Sequence, residues 1–374
     1  MRWLINVALL SGKEFRSLFR DFILFGLIVF AFSFAVIIVA DGVRVDVSNA
    51  TVAFVDEDHS ALSRELKAGV LLPYFKPPVL TNRAAAASGM DDGTYNFVID
   101  IPPRFEADVL AGRAPAIQER IDATAMTQAG LGDVYLQRIF LSQVSSFLHM
   151  PPAEQQLPFR TQSRIRFNPN SESFWFTSVM QVVTDATVLS IILVGAAVIR
   201  EREHGTIEHL LVLPVSASEI AIAKILANGT VIFVASMASL WFVVHLWLGV
   251  PIAGSLTLFA ACLVIYLFSV TSLGMVLAIF APTMPQFGLL AVPVYAIAYL
   301  LSGAATPIES MPDIMQMAVH VLPTTQFVEI SQAILYRGAG PETIWPSVLS
   351  ILCASTLFLA LALLRFRSML ARQD

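Results

Sequence analysis

Long apolar runs alternate with polar stretches along this chain. Phe22 to Ala40 contains 19 residues without a charge, and further apolar runs, interrupted only by the charges Asp185 and Lys224, occupy residues 174–199, 220–248, 256–280, 287–305 and 346–364. Roughly 20 apolar residues in a helix cross a hydrocarbon core of about 30 Å, so each run is expected to span a membrane. Residues 1–20 mix Arg2, Lys13, Arg16 and Arg20 with Trp3, Leu4, Leu9, Phe15 and Phe19. That pattern suits an amphipathic helix lying on a membrane surface. A cleaved signal peptide is the alternative for this end, but its apolar core is usually about 7–15 residues, and more spans follow here.

Residues 41–173 break the apolar pattern. Alternation suggests strands at 51–55, 95–101 and 116–123. Helical spacing suggests short helices at 60–70 and 104–110 and a longer one at 127–148, where Leu136, Phe140, Val144 and Phe147 share a face. A mixed α/β domain is expected between the first and second spans. The expected fold is therefore a polytopic α-helical membrane protein with six transmembrane helices, an N-terminal surface helix and one inserted α/β domain. Residues 306–345 carry Pro307, Pro312, Pro323 and Pro341 and are not a span. Two short helices, 313–322 and 325–336, are expected there, either re-entrant or lying on the surface.

Composition agrees. The chain is 56% hydrophobic and 14% charged, against about 25% charged in soluble domains. A net charge of −5 without a basic tract argues against nucleic-acid binding. Outside 41–173, Arg2, Lys13, Arg16, Arg20, Arg200, Arg202, Lys224, Arg365, Arg367 and Arg372 fall on one side of the expected topology, and Arg337 alone falls on the other. By the positive-inside rule both termini are cytoplasmic and 41–173 is extracytoplasmic. There is no phosphate-binding G-x-x-x-x-G-K-[ST] loop, so no ATP is expected on this chain. Cys262 and Cys353 sit inside expected spans and read as small apolar groups. No Cys–His spacing suggests a metal, and His59 beside Asp56, Glu57 and Asp58 reads as a solvated loop rather than a metal site.

Charge is densest at Arg200–Pro214, R-E-R-E-H-G-T-I-E-H-L-L-V-L-P, between two apolar runs. Such charge cannot enter hydrocarbon, so the stretch is a hairpin between spans. Gly205 permits the turn, Thr206 can cap a new helix with Glu208 in its first turn, and Pro214 would end it; the alternative is an ordinary charged loop. Ser216-x-x-Glu219 is a capping box that starts the next helix. Asp185 lies near mid-span. It is either a cation-attracting group in a substrate path or an acid hydrogen-bonded to Thr184, Thr187 or a neighbouring helix. His245 is read as interfacial, and Met275, Phe280 and Met284 as packing.

The pattern R-E-R-E-x-G-T-x-E-x-L-L resembles the motif between the second and third spans of ABC-type exporter permeases of the second export type, in the drug-exporter-like branch with a large outer domain. The stretch S-G-A-A-T-P-I-E-S-M-P, with L-P-T-T-Q-F and Y-R-G after it, is similar to that family's outer re-entrant helix pair. The resemblance covers nearly the whole chain and is weakest over 41–150. It implies that Glu201, Glu203, Gly205, Thr206 and Glu208 couple the chain to a separate ATPase. It also implies that Pro307, Glu309, Met311, Pro312, Pro323 and Arg337 form an outer gate; because Glu309 and Arg337 flank the helix pair, a bond between them is expected to hold it closed. The implied partners are a second permease subunit, two ATP-binding-cassette subunits carrying ATP and Mg, and often a periplasmic adaptor. The implied cargo is a hydrophobic or cationic small molecule, moved out of the cytoplasm or inner leaflet across a bacterial inner membrane. Two other classes stay open on residues alone. One is a proton-coupled transporter using Asp185 and His245, although the halves show no repeat. The other is a membrane sensor with 41–173 as its ligand domain.

Overall fold

The computed structural model describes residues 2–42, 49–124, 126–150, 166–168, 172–203 and 215–370. The chain forms two compact units, one of Met1–Gly42 with Phe174–Asp374 and one of Val43–Ser173.

The first unit is helical. Among the described residues, five helices are long and apolar enough to cross a membrane: Phe22–Gly42, Ser173–Glu203, Ala217–Trp247, Leu256–Phe280 and Pro341–Phe366. We call them the first to fifth spans. The amphipathic helix Arg2–Arg20, labelled the surface helix for its expected position, precedes them. The remaining expected run, 287–305, is instead the 17-residue helix Met284–Leu300. At 1.5 Å per residue it reaches about 26 Å, short of a hydrocarbon core of about 30 Å. Its end is local: Gly303 takes a left-handed φ of 83° and Pro307 follows. Pro293 lies within this helix without interrupting it.

The second span forms the centre of this unit. In its apolar window 78% of residues are buried, against 17% in the fifth span. The first span is similarly open, with Phe22, Ile23, Phe34 and Ile38 exposed. These faces are apolar and uncovered, as lipid-facing or partner-facing surfaces must be. The first span widens into a π-helical turn at Ala31–Ala35 and the third at Ser239–Trp247, and the two stretches pack on each other. The capping box at the start of the third span is present, with Ser216 and Glu219 bonded reciprocally. The second and fourth spans approach backbone to backbone. A Cβ on Gly274 would lie 2.9 Å from both the Cα and the carbonyl oxygen of Ile191. Small residues allow such contact between apolar helices, where dispersion replaces the hydrophobic effect as the source of association.

The second unit carries a four-stranded sheet, β1 Val52–Asp56, β2 Val79–Leu80, β3 Phe97–Ile101 and β4 Gln118–Ile121, in the order β2-β1-β3-β4. β1 is parallel to β2 and β3, and β4 is antiparallel to β3. On one face Phe54, Phe97 and Ile99 meet Leu62 and Leu66 of helix Ala61–Ala68 and Leu136 and Phe140 of helix Met126–Phe147. On the other, Ala53, Val55 and Val98 meet Ala86 of helix Arg83–Asp91. β1, β3 and β4 overlap the stretches expected as strands. β2 and helix Arg83–Asp91 are additions to the expected elements.

The close approach at Gly274 has a direct consequence. Gly274→Ala forces the second and fourth spans apart and should cost about 1–3 kcal/mol, the usual range for overpacking. At Gly288 an added Cβ would meet nothing within 4 Å. That position should accept alanine without loss and gain up to about 1 kcal/mol of helix propensity. Thermal unfolding in detergent should show a lower Tm for the first variant only. Equal Tm values would contradict the packing.

Candidate functional site

The charged end of the helical unit is built around the last turn of the second span. The helix continues past the apolar run to Glu203, and successive side chains leave it about 100° apart. Arg200, Glu201, Arg202 and Glu203 therefore reach four different neighbours. Arg200 pairs with Asp21 at 3.2 Å, where Asp21 also caps the first span through the Leu24 N–H. Glu201 accepts from Lys13 of the surface helix at 2.8 Å. Arg202 donates to the Ala281 carbonyl at 2.8 Å, just beyond the fourth span. Glu203 accepts the Met284 N–H at 3.0 Å, at the start of helix Met284–Leu300. A carboxylate there also suits the positive end of that helix.

Lys224 of the third span completes the cluster. Its side chain is 2% exposed. Its ammonium donates to Glu14 at 2.8 Å and to the Ala197 carbonyl at 3.1 Å, and it lies 2.8 Å from Glu201. Three acceptors match the three protons of an ammonium. The surface helix follows the third span through two more bonds, Asn6 to Glu219 at 3.0 Å and Ser11 to the Ala223 carbonyl at 3.3 Å. Sequence reasoning used Lys224 only as a topology charge and missed Glu14. The available signal was that Lys224 is the one Lys or Arg within an expected span.

Of the residues assigned to coupling, the structure thus brings Glu201 and Glu203 into contacts within this chain. Gly205, Thr206 and Glu208 lie outside the described residues, as does the stretch 204–214.

Asp185 is 7% exposed. One carboxylate oxygen accepts from Gln181 at 2.9 Å, and the other has no hydrogen-bond partner among the described residues. Thr187 is not its partner: that hydroxyl bonds the Val183 carbonyl at 2.7 Å and meets the Tyr266 hydroxyl at 2.5 Å. His245 places Nδ1 3.0 Å from the Val250 carbonyl oxygen, closing the end of the third span.

The 306–345 segment holds two helices, Asp313–Val319 after Pro312 and Pro323–Leu335. Pro307 precedes a short 3-10 turn, Ile308–Ser310, and Met311 is buried behind it. Glu309 and Arg337 line one cavity of about 480 Å³, with Ser302, Glu329, Gln332 and Ser347. The expected Glu309–Arg337 bond is not formed. Arg337 instead donates to Gln332 at 3.4 Å, a partner five residues back on its own segment. The cross-link that is present joins the two helices, with His320 3.4 Å from Glu329.

In the sheet unit, Asp56 accepts the N–H groups of Asp58 and His59 and the Ser63 hydroxyl. Its carboxylate thus serves a turn. No three His, Cys, Asp or Glu side chains converge as metal ligands among the described residues.

Residues 19–364 match the ABC-2 family transporter protein description. The chain belongs to the ABC-2 transporter family. It is 44% identical over 367 residues to the inner membrane transport permease YhhJ of Escherichia coli (strain K12), covering 98% of each chain. It is 27% identical to the probable multidrug ABC transporter permease YbhR of the same organism, covering 96% of this chain and 98% of that one. It is 26% identical to the corresponding YbhS, covering 96% of each. As an ABC-2 permease it is a polytopic helical membrane transport protein with a small sheet unit.

The Lys224 cluster predicts a specific pattern of stability. Removing one member of a buried ion pair costs about 3–5 kcal/mol, because the remaining charge is stranded, whereas replacing the whole set with apolar or neutral groups is often nearly neutral. Lys224→Met should therefore lower Tm strongly, and adding Glu14→Gln and Glu201→Gln should recover most of the loss. A single variant with wild-type Tm would contradict the buried network.

Proposed function

We propose that this chain is the permease subunit of an ATP-driven exporter, working as a dimer with two ATP-binding-cassette subunits that carry ATP and Mg. The observation that carries the reading is the four-way engagement of Arg200–Glu203. This turn leads directly into the charged stretch 204–214 and is tied to the surface helix, the first and third spans and the start of helix Met284–Leu300. A push delivered to the 204–214 stretch reaches every one of these elements through short charged contacts. Two such halves rocking against each other would alternate access across the membrane.

In this reading Met284–Leu300 is a sixth crossing, set in a locally thinned or tilted position, and both termini are cytoplasmic in a bacterial inner membrane. The 43–173 unit is extracytoplasmic and available to a periplasmic adaptor. The 306–345 segment forms an outer gate that holds closed through His320–Glu329. Glu201 acts inside the permease, bridging the surface helix to the third span. Glu203 sets the start of the sixth crossing, and Gly205, Thr206 and Glu208 form the surface that meets the ATPase. Asp185 draws positive charge into the path. The cargo is a small hydrophobic or cationic compound: that single buried acid supports the positive charge, and the names of YbhR and YbhS, probable multidrug permeases, support only a drug-like cargo.

The experiment uses the permease co-expressed with its ATPase and reconstituted in lipid. Glu203→Ala should leave co-purification intact and cut compound-stimulated ATP hydrolysis, because its bond lies within the chain. Gly205→Val should impair co-purification itself. In the same system Asp185→Asn should reduce transport of cations more than of neutral compounds. Wild-type assembly and stimulation in both coupling variants would overturn the proposal.

A further inference from the structure

The sheet unit contains a second candidate site, at the carboxyl ends of its parallel strands. The chain leaves β1 into helix Ala61–Ala68, which packs on the Phe54 face of the sheet. It leaves the neighbouring strand β2 into helix Arg83–Asp91, which packs on the Ala53 and Val55 face. Two adjacent parallel strands whose helices depart to opposite faces leave a crevice between their carboxyl ends, the position where open α/β sheets bind ligands. A cavity of about 640 Å³ occupies this place, lined by Asp56 and Glu57 from the end of β1, Leu80 and Thr81 from β2, and Arg64 and Lys67 from the first helix. His59, Asn82 and Arg83 complete its wall. The volume lies within the range of about 300–1,000 Å³ typical of small-molecule sites.

Charge in the crevice is unbalanced. The acids are already engaged: Asp56 serves the Asp58 and His59 N–H groups and Ser63, and Glu57 pairs with Arg83 at 3.1 Å. Arg64 spends one N–H on the His59 carbonyl at 3.0 Å, leaving the rest of its guanidinium open. Lys67 is half-buried and has no ion pair or hydrogen bond among the described residues. Arg64, Lys67 and Arg83 thus outnumber Asp56 and Glu57 in the lining, and the first two, one turn apart on one helix, have no ion pair among the described residues.

We propose that this crevice binds a small molecule through an anionic head, a phosphate or a carboxylate, held by Arg64 and Lys67. Arg64 supplies planar paired donors and Lys67 a point charge, the two ways proteins hold such oxyanions. The remaining volume, walled by Val55, Leu80 and Thr81, takes the body of the ligand. The proposal rests on the sheet unit alone and does not depend on the permease reading.

The test follows modification of Lys67 by an amine-acylating reagent, read by mass spectrometry on the full-length protein in nanodiscs. Lys76, exposed and outside the crevice lining, is the internal control. In neutral phosphatidylcholine, inorganic pyrophosphate should protect Lys67 saturably and leave Lys76 reactive, which assigns the site to soluble anions. Protection in phosphatidylglycerol nanodiscs without pyrophosphate would assign it to a lipid headgroup instead. Arg64→Ser, an exposed position whose loss should leave Tm unchanged, should weaken the protection by about tenfold or more, the worth of one charge-assisted contact. Unprotected Lys67 in both lipid settings, or equal protection in Arg64→Ser, would overturn the proposal.

Discussion

A lysine ammonium buried inside a membrane helix bundle is the constraint around which this permease is arranged. Lys224 cannot stay charged in an apolar surrounding without acceptors, and the desolvation penalty is several kcal/mol per ion. Its acceptors come from two elements that face the third span carrying it: Glu14 of the surface helix, and the Ala197 carbonyl and Glu201 of the second span. Separating any of these three elements removes at least one acceptor from the buried ammonium. The surface helix is therefore part of the bundle and not a loose anchor, and Asn6 and Ser11 reinforce the same seam.

The neighbouring residues extend that block to the rest of the charged end. Arg200 holds Asp21 at the head of the first span, while Arg202 and Glu203 hold the link from Ala281 to Met284. Away from this end the contacts change in kind. The second and fourth spans touch through Gly274, and Gly195 leaves room for the Phe287 ring. The first and fifth spans present open apolar faces. The unit is thus stiffened by charge at one end and packed through small residues elsewhere, with apolar faces left open.

Much of this was legible in the amino-acid order. Apolar run length located the spans, because hydrocarbon thickness sets a length that composition alone can meet. The Ser216–Glu219 box was legible because a cap is decided within four residues. Lys224 and Glu14 are 210 positions apart, so nothing local announced their contact. The Met284–Leu300 helix was expected to run to 305 because residues 301–305 are mostly small or apolar, yet backbone geometry at Gly303 stops it. The Glu309–Arg337 bond failed for the converse reason: opposite charges flanking a segment suggest a pair, but Arg337 meets a nearer amide in Gln332. In the sheet unit, β2 is two residues long and helix Arg83–Asp91 is alanine-rich without an apolar stripe, so neither carried a periodic signal.

The central claim is that the surface helix and the third span form one body throughout the transport cycle. Ser11 and Ala223 adjoin, with the hydroxyl 3.3 Å from the carbonyl oxygen. Cysteines at these two positions, in a chain with Cys262 and Cys353 replaced by serine, would lock the seam on oxidation. Compound-stimulated ATP hydrolysis by the reconstituted complex should then be the same oxidised and reduced. Loss of stimulation on oxidation, with recovery on reduction, would show that the two elements must separate during the cycle and would contradict the account.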